Sequence, residues 1–98
     1  MAKHNNSLRG IKKDIEYVIG AFIDDCTIFT TVNPGKNTDE IVELVDKAVD
    51  LFNELRDKVG TPEGNKRAYY DGLRKKLLTE TDALYDKLSE AVKKGLGK

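Results

Sequence analysis

The chain has little of what most catalytic and metal sites require. Its 98 residues include one cysteine, one histidine and no tryptophan. The single cysteine, Cys26, excludes an internal disulfide and fits a reducing compartment. The single histidine, His4, lies in a polar N-terminal stretch, so a Ser-His or Cys-His pair lacks a positioned base. No Cys or His pair has metal-ligand spacing, and there is no glycine-rich phosphate loop. We therefore expect no catalytic activity, no cofactor and no metal.

Net charge and long apolar runs are lacking as well. The 17 basic and 17 acidic residues balance, so no overall field attracts nucleic acid or an anionic membrane. No segment approaches the roughly 20 apolar residues of a membrane span, and the N-terminus lacks the apolar run of a signal peptide. We expect a cytoplasmic protein without membrane contact. Nucleic-acid binding stays a lesser alternative, because basic residues flank Tyr69 and Tyr70.

What the sequence does contain is helical periodicity, which is clearest in residues 38–59. Apolar residues recur there at steps of four and three: Ile41, Val45, Ala48, Phe52, Leu55 and Val59. Four more widen the stripe to about half of the circumference, as suits a helix between two partners: Val42, Leu44, Val49 and Leu51. We expect Asn37 or Thr38 to cap this helix, Asn37 forming a capping box with Glu40. Gly60 and Pro62 are expected to end it.

Two further helices are predicted, at about residues 8–31 and 62–94. The segment TIFTTV, residues 27–32, could form a strand by itself, but no second β-rich run exists to pair with it. Thr61 as cap with Pro62 suits the start of the third helix, although Gly64 and Asn65 could delay it to Lys66. Thr79 and Asp82 could begin a separate fourth helix. Apolar residues seven apart through this point favour one continuous helix.

These elements predict one all-α domain over residues 1–98, with a flexible tail at residues 1–7. Its architecture is an up-down-up antiparallel three-helix bundle with a long third helix. The segments KKDIEYVIGAFIDDC, VNPGKN and LRDKV resemble segments of small uncharacterised all-helical bacterial proteins. The resemblance extends over about residues 11–92. It implies an all-helical fold and supplies no active site.

Residues beside the core stripes are the candidates for function. The candidate interface comprises apolar residues of the first and third helices and acidic residues of the second: Tyr17, Ala21, Ile28, Val32, Leu78, Tyr85, Asp46, Asp50 and Glu54. We predict a non-enzymatic protein-interaction module whose partner is another protein or a second copy. The alternative is a small-ligand carrier with an apolar cavity among Gly20, Phe22, Phe52, Tyr70 and Gly72.

Overall fold

The computed structural model describes residues 8–97, and these residues form three α-helices. Helix α1 is Leu8–Val32, α2 is Thr38–Val59 and α3 is Lys66–Gly97. Each helix contacts both others, which confirms the predicted three-helix bundle. Helix α3 has 32 residues and is the longest, about 48 Å at a rise of 1.5 Å per residue. The predicted tail at residues 1–7 lies outside the described residues.

A single core runs along the bundle axis, built from residues at steps of three and four on each helix. Its apolar members are Ile11, Ile15, Ile19, Phe22, Cys26, Ile41, Leu44, Ala48, Leu51, Leu55, Val59, Tyr70, Leu73, Leu77, Leu84, Leu88 and Ala91. Such spacing lets side chains of one helix fit between those of its neighbours. Phe22 is fully buried and meets the Tyr85 ring edge-on at a centroid distance of 4.9 Å. Thr81 fills the gap in the α3 stripe, although within residues 8–97 its hydroxyl has no hydrogen-bond partner.

Helix α3 begins at Lys66, later than the predicted Pro62. Gly64 adopts a φ of 69°, which turns the chain before the helix can begin. Asn65 then caps α3, because its Oδ1 accepts a hydrogen bond of 3.0 Å from the Ala68 N–H. The Tyr70 hydroxyl donates to the Val59 carbonyl at 3.3 Å and so ties the start of α3 to the end of α2. Helix α3 continues through Thr79 and Asp82, as the spacing of seven predicts.

The α1–α2 loop is fixed to the far end of α3 by Asn37, and this corrects the predicted capping box. Asn37 lies in the left-handed region at φ 59° and its side chain makes no cap hydrogen bond. Its amide nitrogen donates instead to Glu40 Oε1 and to the Ala91 carbonyl, each at 3.1 Å. Nearby, a Cβ on Gly95 would lie 3.2 Å from the Lys36 carbonyl oxygen. The loop therefore approaches α3 closely enough to favour a glycine there.

Candidate interaction surface

The outward side of α1 carries large apolar side chains that the bundle leaves in solvent. We call Tyr17, Ala21, Ile28 and Val32 the α1 face, since their spacings of four, seven and four place them on one side of the helix. Tyr17 is 78% exposed, Ile28 59% and Val32 69%. Residues 17–32 include only two charged side chains, Asp24 and Asp25. Hence the α1 face is apolar surface with little charge to solvate it.

Helix α3 extends this surface on one side. Arg74 Nε donates to Asp14 Oδ2 at 2.6 Å, and the Tyr85 hydroxyl donates to Asp25 Oδ2 at 2.7 Å. Both contacts join residues 60 positions apart, so the two helices are parallel and in a constant register. By this register Leu78, which is 55% exposed, lies next to the level of Tyr17. The exposed Leu78 therefore adds apolar surface on α3 at about the level of Tyr17.

Tyr85, also a predicted interface residue, belongs to the contact between α1 and α3. Its ring packs on Phe22, and its hydroxyl is held by Asp25. Burial raises the pKa of Tyr85 to about 12, and the neighbouring Asp25 carboxylate adds to the effect. The phenol is therefore a stable hydrogen-bond donor at neutral pH. It joins two helices, and only part of the side chain is available to a partner.

A shallow apolar groove lies on the surface between α1 and α2. It has a volume of about 390 Å³ and is lined by Glu16, Ile19, Gly20, Ile23, Val49 and Phe52. Val42 and Val49, expected in the core stripe of α2, are 49% and 43% exposed, because they lie beyond the row that contacts both neighbours. These two valines are seven residues apart, a spacing that could have marked them as a separate row. The groove adds apolar surface on the second side of α1.

Gly20 lies in this groove in the middle of α1. A Cβ on Gly20 would meet nothing within 4 Å. A glycine inside a helix costs about 1 kcal/mol relative to alanine, so packing within the bundle gives no reason for it. Gly72 likewise has open space around it. Close approach of a neighbouring helix therefore explains neither glycine, whereas Gly95 is explained by the close approach of the Lys36 backbone in the α1–α2 loop.

The five residues proposed for a carrier cavity do not converge. Phe22 and Tyr70 are buried in the core at 0% and 4% exposure, while Gly72 lies on the surface of α3. Only Gly20 and Phe52 line the groove. The burial of Tyr70 also removes one of the two rings that a stacking nucleotide would use.

The acidic residues predicted for the interface belong to α2, and two of them lie at the contact between α2 and α3. Lys76 Nζ lies 3.0 Å and Lys58 Nζ 3.4 Å from Glu54 Oε2. The hydrogen bond from Lys76 lowers the pKa of Glu54 below its usual value. Asp50 lines a groove with basic residues of both helices, Lys47 and Lys87, whereas Asp46 is simply exposed. We call this charged contact between α2 and α3 the α2–α3 seam.

The described residues offer neither a reactive thiol nor a group of side chains that could bind a metal ion. Cys26 is buried, and desolvation raises the pKa of its thiol to about 11, so it is a poor nucleophile at neutral pH. Within residues 8–97, no three His, Cys, Asp or Glu side chains are grouped so that they could hold a metal ion. Over the same residues, no helix has the length and apolar character needed to cross a membrane.

No protein-family model matches the chain, and no curated protein and no solved structure is significantly similar to it.

Proposed function

We propose that this chain is a non-enzymatic interaction module that binds another protein chain, or a second copy of itself, through the α1 face. The observation that carries the proposal is the exposure of Tyr17, Ile28 and Val32 on one side of a helix whose residues 17–32 include only two charged side chains. Apolar side chains gathered on one face are typical of surfaces that become buried on association. By contrast, most exposed residues of α2 and α3 are charged.

Photo-crosslinking in the source cell tests the proposal. A photoreactive phenylalanine analogue replaces Ile28 in one variant and Lys75, on the exposed charged surface of α3, in a control variant. We expect a defined adduct from position 28 and none from position 75, because the α1 face is apolar and uncovered whereas the surface around Lys75 is charged. Adding Val32→Lys should abolish the adduct at position 28. If position 28 gives no defined adduct, the α1 face is not an interaction surface.

A small-ligand carrier is the second candidate, supported by the groove between α1 and α2. Its volume of about 390 Å³ falls within the usual range of ligand pockets. Such pockets, however, enclose most of the ligand surface, and this groove is open along one side. Native mass spectrometry of untagged protein distinguishes the candidates, because a carrier retains a bound molecule of fixed extra mass. Detection of only the unliganded monomer or the unliganded dimer would argue against the carrier.

A further inference from the structure

We propose that a second copy of this chain packs against the part of the α1 face around Tyr17 and Ala21, with the two α1 helices antiparallel. This inference rests on the proposed function and names its partner. The proposed contact centres on the point between residues 18 and 19. In it, the Tyr17 ring of each copy enters the groove over Gly20 of the other.

The first argument is a single row of residues on α1. Lys13, Tyr17, Gly20, Asp24 and Ile28 follow one another at steps of four, three, four and four. Such steps place all five on one stripe of the helix. Lys13, Tyr17, Asp24 and Ile28 are exposed, and Gly20 is half-buried with open space above it. A second helix can therefore lie along this row.

The second argument is charge complementarity in one register. In an antiparallel pair centred between residues 18 and 19, position 13 lies opposite position 24 and position 17 lies opposite position 20. Lys13 then meets Asp24 of the other copy, and Tyr17 meets Gly20 of the other copy. Within the part of the chain that the structure describes, neither Lys13 nor Asp24 has an ion-pair partner. The same register thus pairs both unpaired charges and matches the bulky residue to the small one.

The third argument is the shape around Gly20. The groove beside it is lined by one charged residue, Glu16, and otherwise by Gly20 and apolar side chains such as Val49 and Phe52, and its volume of about 390 Å³ admits an aromatic ring. An aromatic side chain buried in an apolar pocket is the usual anchor of a protein interface. Because the contact has two-fold symmetry, both Tyr17 rings are buried and the Lys13–Asp24 ion pair forms twice. The glycine, without a role inside one bundle, gives the ring access to the groove.

We expect a weak dimer, with a dissociation constant in the micromolar range. The contact extends over about three helical turns, which is small among specific interfaces. Two ion pairs at its edges are partly exposed, so they contribute modestly and depend on salt. Association should therefore be measured at low ionic strength.

Charge reversal with complementation in trans tests the register. Lys13→Asp and Asp24→Lys are prepared separately, and sedimentation velocity measures self-association of each and of their equimolar mixture. Each variant alone sets like charges opposite one another twice and should dimerise at least about tenfold more weakly than the unmodified chain. In the mixture both pairs become opposite charges again, so dimerisation should return. Lys12→Asp is the matched control, since its side chain projects about 100° away around the helix, and it should dimerise as the unmodified chain does.

The outcomes separate this inference from the proposed function. If the unmodified chain dimerises but the mixture does not recover, the antiparallel register is wrong and the α1 face can still be an interaction surface. If the unmodified chain stays monomeric at concentrations well above the micromolar range, the second copy is not the partner. A crosslinked adduct of a different protein at position 28 would then support the proposed function alone. If neither self-association nor an adduct is found, both proposals fail.

Discussion

The α1 face and the α2–α3 seam lie on the same small bundle, yet the first exposes apolar side chains to solvent and the second exposes charged ones. At the seam, Glu54 contacts Lys58 and Lys76, and these charges remain partly exposed. On the α1 face, Tyr17 and Ile28 are exposed to solvent. A net charge of zero therefore hides an uneven distribution. The charged side keeps the protein hydrated, whereas the apolar side is the one whose burial would lower the free energy most.

The largest expected effect is the difference in stability between a substitution on the buried side of α1 and one on its exposed side. Phe22→Ala should lower the free energy of unfolding by about 3–5 kcal/mol, because it empties a fully buried site that also contacts Tyr85. Tyr17→Ala removes an aromatic side chain of similar size from the exposed side and should change stability by less than about 0.5 kcal/mol. Urea denaturation followed by circular dichroism, at protein concentrations that keep the chain monomeric, measures both. A large loss from Tyr17→Ala would mean that the α1 face is part of the folding core.

Substitution of three glycines should give the next largest effects. These substitutions compare one glycine in close contact with two glycines that have open space around them. Gly95→Ala should destabilise the fold by about 1–2 kcal/mol, since the new methyl group would press on the Lys36 backbone. Gly20→Ala and Gly72→Ala should each stabilise it by up to about 1 kcal/mol, because alanine favours the helix and meets nothing within 4 Å. Chemical denaturation of the three variants tests these signs.

Gly20 and Gly72 should differ in a second measurement. In the proposed dimer, a methyl group on Gly20 narrows the groove that receives Tyr17 of the other copy, whereas Gly72 lies far from that contact. Gly20→Ala should therefore strengthen the fold and weaken self-association in sedimentation velocity, while Gly72→Ala should only strengthen the fold. Equal self-association of the two variants would argue against the ring entering this groove.

The helices themselves could be predicted from sequence because burial follows a simple period. Thr27 to Val32 is rich in β-branched residues, yet it stays helical because Phe22, Cys26 and Phe29 keep facing the core. Tertiary burial outweighs the weak intrinsic preference for a strand. Fold class and the continuity of α3 therefore follow from spacing alone.

The remaining differences depend on contacts far apart in sequence. Asn37 has a suitable position for a capping box, but its amide nitrogen donates to the Ala91 carbonyl, 54 residues later, as well as to Glu40, and its side chain makes no cap hydrogen bond. Val42 and Val49 fit a wide core stripe, and only the actual position of α1 shows that they border a groove. The α1 face was identifiable as a second stripe, because Tyr17, Ala21, Ile28 and Val32 share one side of the helix. The groove beside it needs the relative placement of two helices, which a single helical pattern does not contain.

The smallest expected effect tests the seam. Glu54→Gln removes the charge that Lys76 contacts and should lower stability slightly near neutral pH, less than either the Phe22 or the Gly95 change, because the pair is partly exposed. The pKa of Glu54 is lowered in the folded state, so its contribution is present above the pKa of the unfolded chain and is lost as pH falls through the folded pKa. The stability difference between Glu54→Gln and the unmodified chain should therefore shrink in acid and in high salt. Asp46→Asn, at an exposed acid without an ion pair among the described residues, should show no such loss. A Glu54 effect that persists in high salt would mean that the seam is shielded from solvent, and its contrast with the α1 face would then rest on polarity alone.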